Sequence, residues 1–295
     1  MFERKVKENK PVIAICYDFD KTLSPDNMQA QGYIQDVYSG DVEQFWKETQ
    51  ELSLKNEMDS NLAYMYKMFN EAEGRLIFNK KSLREYGAKV ALYDGVESWF
   101  DRINHFAEIN DVIVEHYIIS SGIKEMIEGN VISKFFTKIY ASSFYYNKRG
   151  IAIWPAQVVN FTNKTQFLFR ISKGTLDVND NDGVNAYFKP EDLRIPFNRI
   201  VYLGDSETDI PCMKLVKNYG GSAIGVFNPN TNNKQKVHAL YEQNRINYYE
   251  AADYSEGSKL EELVKSIIIR VKEGKDFSDL EEATKLKYLK ETNEL

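Results

Sequence analysis

Residues 12–23, VIAICYDFDKTL, constrain the fold more than any other stretch of the chain. Val12 to Tyr17 carries no charge, is rich in β-branched types and follows Pro11, which is the pattern of a central strand covered on both faces of a parallel sheet. Two carboxylates, Asp18 and Asp20, come directly after it, then Lys21 and Thr22. Open α/β sheets hold their ligands in the crevice beyond the carboxyl ends of the strands, so this D-x-D is delivered to the edge where chemistry is done. Aspartate also caps helices and shapes turns, and a single D-x-D would not decide the matter.

The rest of the chain supplies a sheet to go with that strand. From Val112 onward, strand and helix patterns alternate, as parallel strands with crossover helices require. Val112–Ile119 reads as a strand running into Ser120, Ser121 and Gly122, and Gly122–Phe136 as a helix. Lys138–Ser142 and Arg199–Leu203 read as further strands, and the second of these runs into GDSETD at 204–209. A helix about Pro211–Val216 and a strand Ala223–Phe227 follow. The region 144–198 is weaker, with a turn-rich VNDNDG at 178–183 that suggests a hairpin or loose loop. Ser258–Val271 is amphipathic, and beyond Gly274 the sequence suits a further helix or a frayed end.

Between Pro25 and Leu92 the character is different. Runs dense in Glu, Lys, Gln, Met and aromatic residues begin at the cap candidates Asp41 and Ser60, with apolar residues at helical spacing. These predict a helical unit at 25–92 inserted into an α/β core made of 1–24 and 93–295, a division natural for 295 residues. Its aromatic and methionine stripes are ordinary core material, and stacking on a ligand is the rival use.

Composition excludes several functions. The net charge is −6 with no basic block, which argues against a nucleic-acid scaffold or an anionic membrane surface as partner while leaving room for a local anion pocket. Two cysteines, Cys16 and Cys212, give no disulfide framework and suit a reducing compartment. The apolar run after the charged amino-terminal stretch stops at Asp18, too short for a signal or a span, so a cytoplasmic protein is expected.

Three strand ends therefore present Asp18 and Asp20, Ser120, and Asp205 with Asp209 to one edge. Clustered carboxylates repel unless a cation sits among them, and hard oxygen donors favour Mg²⁺. A carboxylate pair two residues apart can divide labour, one as nucleophile and one as acid and base. A phosphoryl group is the matching electrophile, since its transfer needs charge neutralisation and positioning above all.

At these residues the chain resembles the haloacid dehalogenase superfamily. DFDKT at 18–22 resembles its D-x-D-x-T motif, IISSG at 118–122 its second motif and GDSETD its G-D-x-x-x-D motif, in the family's order, over about residues 11–230. The resemblance implies a Rossmann-like parallel sheet, Mg²⁺ and an aspartyl-phosphate intermediate, with the insertion at 25–92 similar to the family's cap. The second aspartate points to phosphatase or phosphotransferase chemistry.

The resemblance also implies roles. Asp18 would be nucleophile and metal ligand, Asp20 acid/base and a ligand through its carbonyl, and Asp205 the remaining protein ligand. Asp209 would stand behind the metal, holding water or a lysine. Ser120, with Ser121 and Gly122, would bind phosphate oxygens, and Thr22 would stabilise the turn or touch the substrate. The family's lone lysine is assigned to Lys164, with Lys148 and Lys173 as rivals; this requires 174–198 to be an insertion. The expected activity is hydrolysis of a small phosphorylated metabolite such as an alcohol, amino acid, sugar or nucleotide phosphate. Transfer to an acceptor hydroxyl, or phosphate sensing without turnover, are the alternatives.

Overall fold

The computed structural model describes residues 2–292. Strand β1 (Val12–Tyr17) is buried at every position. Four helices follow in the segment 25–92: α1 (Tyr33–Val37), α2 (Val42–Lys55), α3 (Ser60–Glu71) and α4 (Lys80–Gly87). Helix α5 (Val96–Ile109) leads to β2 (Ile113–Ile123), α6 (Lys124–Gly129), β3 (Phe136–Tyr146) and β4 (Ala152–Gln157). Next come α7 (Thr165–Lys173), α8 (Asn181–Asn185), β5 (Ile200–Gly204), α9 (Ile210–Asn218) and β6 (Ser222–Phe227). The chain closes with α10 (Gln235–Glu242), β7 (Tyr248–Ala251) and α11 (Lys259–Glu291). Among the described residues, no helix is long and apolar enough to cross a membrane.

The seven strands form one sheet in the order β4-β3-β2-β1-β5-β6-β7, parallel throughout except for the antiparallel β3/β4 edge. The expected Rossmann-like α/β architecture is the one found. Period-two alternation along β1 sends its side chains to two separate cores. Ile13, Ile15 and Tyr17 pack with Trp99, Phe100 and Ile103 of α5, with α11, and with the inserted helices, whereas Val12, Ala14 and Cys16 pack with Phe167, Met213 and Val216 of α7 and α9. Each such large apolar side chain is worth about 1.5–3 kcal/mol when fully buried, which is why the strand tolerates no charge before Asp18. Cys16 and Cys212 are both buried free thiols.

Several sequence expectations differ in detail. The Gly122–Phe136 helix is shorter: Gly122 and Ile123 still belong to β2, α6 ends at Gly129, and a 3₁₀ turn fills 131–135. Asp59, not Ser60, caps α3, its carboxylate accepting from the Asn61 and Leu62 amides. The turn-rich stretch at 178–183 is neither hairpin nor loose loop; Asp180 caps the short α8, and the Arg170 guanidinium gathers the carbonyls of Asp177, Val178 and Asp180. The tail beyond Gly274 continues α11 without a break, supported by the i,i+4 pairs Lys272–Asp276 and Lys275–Asp279.

The segment 25–92 is fastened to the sheet at its ends. The Tyr93 amide donates to the Leu23 carbonyl at 2.9 Å, joining the two ends of the insertion. The Ala152 amide donates to Phe78 O at 2.9 Å, α4 packs on α6, and Asn130 Nδ2 donates to the Gly87 and Val90 carbonyls. Helices α2 and α3 pack on each other over the carboxyl edge, tied by the Lys67–Glu48 pair at 2.7 Å. The start of α3 reaches back to the body through three hydrogen bonds: Asn61 Nδ2 to Val159 O, Asn160 Nδ2 to Asp59 Oδ2, and the Tyr64 hydroxyl to Ser121 O.

Candidate active site

Register places the carboxylates. Tyr17 lies opposite Ile118 on one side and Leu203 on the other, so Asp18 leaves β1 beside Ile119 and Gly204, one residue short of Ser120 and Asp205. The Asp18 amide still donates to Leu203 O at 3.0 Å, which holds its backbone in the sheet's direction. The chain then turns sharply: the amides of Thr22, Leu23 and Ser24 all converge on Phe19 O, and Lys21 takes a left-handed φ of 59°. This turn swings Asp20 back over the edge, where its Oδ1 accepts from the Met28 amide at 2.8 Å.

Oxygens of Asp18, Asp205 and Asp209 lie within 4.8 Å of one another. Lys164, fully buried at the start of α7, extends into this group. Its Nζ is 2.8 Å from Asp209 Oδ1 in a hydrogen bond and 3.3 Å from Asp18 Oδ1 in an ion pair without hydrogen-bond alignment. Asp209 Oδ1 also accepts from the Tyr202 hydroxyl at 2.8 Å, and Oδ2 faces the amide and hydroxyl of Ser206 at 3.4 Å. Asp209 is thus committed to its protein partners. Of the rival lysines, Lys148 is exposed, and Lys173 donates to the Val184 and Ala186 carbonyls, holding α8.

Four carboxylates share this space with one buried ammonium. Burial and the neighbouring Asp209 push the Asp18 carboxyl up to about 6 despite Lys164, and burial with Asp209 and Asp18 brings Asp205 to about 7. Asp20 is raised as well, by burial first and then by Asp18. Burial works against the charge of Lys164, but Asp18 and Asp209 outweigh it and hold the ammonium protonated. Such an excess of hard oxygen donors is the chemistry that a divalent cation neutralises. The residues present therefore fit a divalent cation such as Mg²⁺, for which Asp18 and Asp205 offer carboxylate oxygens not taken by the Asp209 hydrogen bonds.

Ser120 is buried, and its Oγ accepts from the Gly122 amide at 3.1 Å. At Gly122 the space is tight: a Cβ would stand 2.3 Å from Met28 Cε and 3.2 Å from Asp20 Oδ2, so a side chain there has to displace the tip of Met28. Thr22 lies fully buried under the turn, its carbonyl accepting from Tyr254 at 2.8 Å, and it is not among the residues lining the cleft. A cleft of about 240 Å³ opens over Asp18, Asp20, Ser120 and Asp205, walled on the far side by residues of the insertion. Sequence reasoning did not single out Tyr202, whose role needs the fold to bring β5 against Asp209. Nor did it find Gln29 and Asn61 in the wall, since isolated polar residues carry no pattern; for the aromatic stripe that includes Trp46, core packing and ligand stacking could not be told apart by spacing.

The fold is the one seen in solved haloacid dehalogenase-type hydrolases. A HAD family hydrolase from Salmonella enterica serovar Typhi superposes with a TM-score of 0.53 at 13% identity, covering 83% of this chain and 70% of that one. A phosphoserine phosphatase in apo form gives 0.51 at 14% identity, covering 86% and 98%. A probable phosphoserine phosphatase from Vibrio cholerae gives 0.52 at 11% identity, covering 90% and 67%. By sequence, the chain is 28% identical over 292 residues to an uncharacterized protein of Borreliella burgdorferi, spanning 86% of this chain and 96% of that one. No family model matches it.

Proposed function

We propose that the chain is a Mg²⁺-dependent phosphomonoesterase that works through a phosphorylated Asp18. The observation that carries this reading is the close grouping of Asp18, Asp205 and Asp209 with Lys164 Nζ 3.3 Å from Asp18, set at a half-open cleft. When bound, the ion supplies neutralisation of the phosphoryl oxygens and of the carboxylates around them.

The side chains then divide the work. Asp18 attacks phosphorus along the line of the leaving oxygen, and the P–O bond to the alcohol breaks as the aspartyl bond forms. Lys164 keeps its charge beside Asp18 and offsets the negative charge gathered there, while Ser120 and the amides after it donate to phosphate oxygens. Asp20, which burial and the neighbouring Asp18 bias toward its protonated form, gives a proton to the departing alkoxide. The resulting Asp20 carboxylate takes a proton from water, which attacks phosphorus, releases inorganic phosphate and frees Asp18. Met28 holds Asp20 in place through its amide. The inserted helices cap the cleft and keep bulk water from the first step.

Phosphate release from p-nitrophenyl phosphate with Mg²⁺ and with EDTA tests this reading. Activity is expected with the metal, none with the chelator, and a fall of at least about 10³-fold in Asp18→Asn with an unchanged circular dichroism spectrum. Wild-type-like turnover by that variant overturns it.

A further inference from the structure

The cleft has two unlike walls. The sheet side carries every charge: Asp18, Asp20 and Asp205, with the exposed Lys21 and Lys236 beside Asp205, whose ionised form both favour. The opposite side, contributed by the segment 25–92, consists of Asn27, Gln29, Trp46, Asn61 and Tyr64, none of which carries a charge near neutral pH.

Nearby charges are spent elsewhere. Glu48 pairs with Lys67 at 2.7 Å, and Asp59 caps α3 while accepting from Asn160. What the far wall offers instead is neutral hydrogen-bonding capacity. The Trp46 indole N–H and, at the junction of the walls, the Ser121 hydroxyl are buried without a partner. Gln29 is only 2% exposed yet lines the cleft. Asn61 has its amide orientation fixed by the Val159 carbonyl at 2.7 Å. The Tyr64 hydroxyl is occupied by Ser121 O, so this residue presents its ring, 6.0 Å from that of Trp46.

Buried donors left unpaired cost free energy until a ligand satisfies them, and a charged group brought against a neutral wall loses its hydration with nothing in return. We infer that the leaving group is an uncharged, hydroxyl-bearing skeleton, a sugar or the ribose of a nucleotide, and not the zwitterion of a phosphorylated amino acid. This inference rests on the phosphomonoesterase reading above and narrows its substrate. It also separates the chain from the phosphoserine phosphatases whose fold it shares.

The test is a comparison of kcat/KM with Mg²⁺ across hexose 6-phosphates, ribose 5-phosphate, nucleoside 5′-monophosphates, O-phosphoserine, phosphoethanolamine and 3-phosphoglycerate. p-Nitrophenyl phosphate serves as the reference for chemistry alone. A neutral hydroxylated ester is expected to exceed phosphoserine, phosphoethanolamine and phosphoglycerate by at least about 50-fold, a floor well under the roughly 10⁴-fold discrimination open to a site built to hydrogen-bond hydroxyls. Whether sugar phosphates or nucleotides lead identifies the source of the skeleton. In Gln29→Glu, which places a carboxylate in the neutral wall, the ratio of phosphoethanolamine to the best neutral ester should rise at least about tenfold. Equal or better hydrolysis of phosphoserine by the wild type overturns the inference while leaving the phosphatase reading intact; no hydrolysis of any ester, the reference included, overturns both.

Discussion

His116 offers a sharp test of how the sheet beneath the site is held. It sits in β2, 1% exposed, at the end of a directed hydrogen-bond chain. Trp99 Nε1 donates to the Tyr17 hydroxyl at 2.9 Å, that hydroxyl meets His116 Nδ1 at 3.0 Å, and Nε2 meets Asn104 Oδ1 at 3.0 Å. The chain is complete when Nδ1 accepts and Nε2 carries the proton, so the imidazole is neutral. Burial pushes its pKa down to about 3, outweighing the opposing charge of Glu115. Because the folded pKa is depressed, protons bind the unfolded chain more readily; the full stability is present above about 6.5 and is lost as pH falls toward 3.

A gap of some 3.5 units corresponds to about 5 kcal/mol in total, of which about 2 kcal/mol falls between pH 6.5 and pH 5. Urea unfolding at pH 7.5, 6.5 and 5 should show the wild type losing about 2 kcal/mol more than His116→Gln over that range, since glutamine preserves an acceptor and a donor but takes no proton. Parallel pH profiles for the two proteins would refute the assignment of a neutral buried imidazole.

Other expectations concern the site itself. Lys164→Met leaves Asp209 buried with its cation gone, and should cost about 3–5 kcal/mol at pH 8 by chemical denaturation and abolish phosphate release. Asp205→Asn removes a carboxylate whose ionisation is resisted up to about 7; in EDTA at pH 8 the variant should melt above the wild type, and added Mg²⁺ should raise the melting temperature of the wild type alone. A variant melting below the wild type in EDTA would contradict the crowding of negative charge. Gly122→Ala drives a methyl group against Met28 and toward Asp20, and should cost about 1–3 kcal/mol in thermal melts and reduce kcat more than it raises KM.

Much of the sheet was legible because its strands are buried on both sides. The uncharged run of β1, the apolar runs of β2 and β5, and the polar residues after each can be read without knowing their neighbours, and register alone then brings Asp18, Ser120 and Asp205 together. The edges were not legible. β4 contains Pro155 and the exposed Ile153 and Trp154, and its pairing is decided by β3 and not by its own pattern. β7 is four half-buried residues. The length of α11 escaped because past Val271 the helix packs on no other element: Phe277, Leu280 and Leu286 keep helical spacing, but their face is exposed. Lys164 could be chosen among lysines only by motif; its complete burial, and the hydroxyl of Tyr202 on the same Asp209 oxygen, are facts of packing.

The way the insertion is tied down has a consequence for traffic through the cleft. With Leu23 joined to Tyr93, Phe78 joined to Ala152 and α4 seated on α6, the segment cannot swing away as one body. Only the hairpin of α2 and α3 is left to tilt, and the bonds from Asn61, Asn160 and Tyr64 are its latches. One of those latches is the backbone of Ser121, next to the serine proposed to receive phosphate, so under the proposed chemistry a tilt of the hairpin and the posture of Ser120 are mechanically joined. A disulfide clamping α3 to the loop at 158–160 should trap product and slow turnover with every carboxylate untouched.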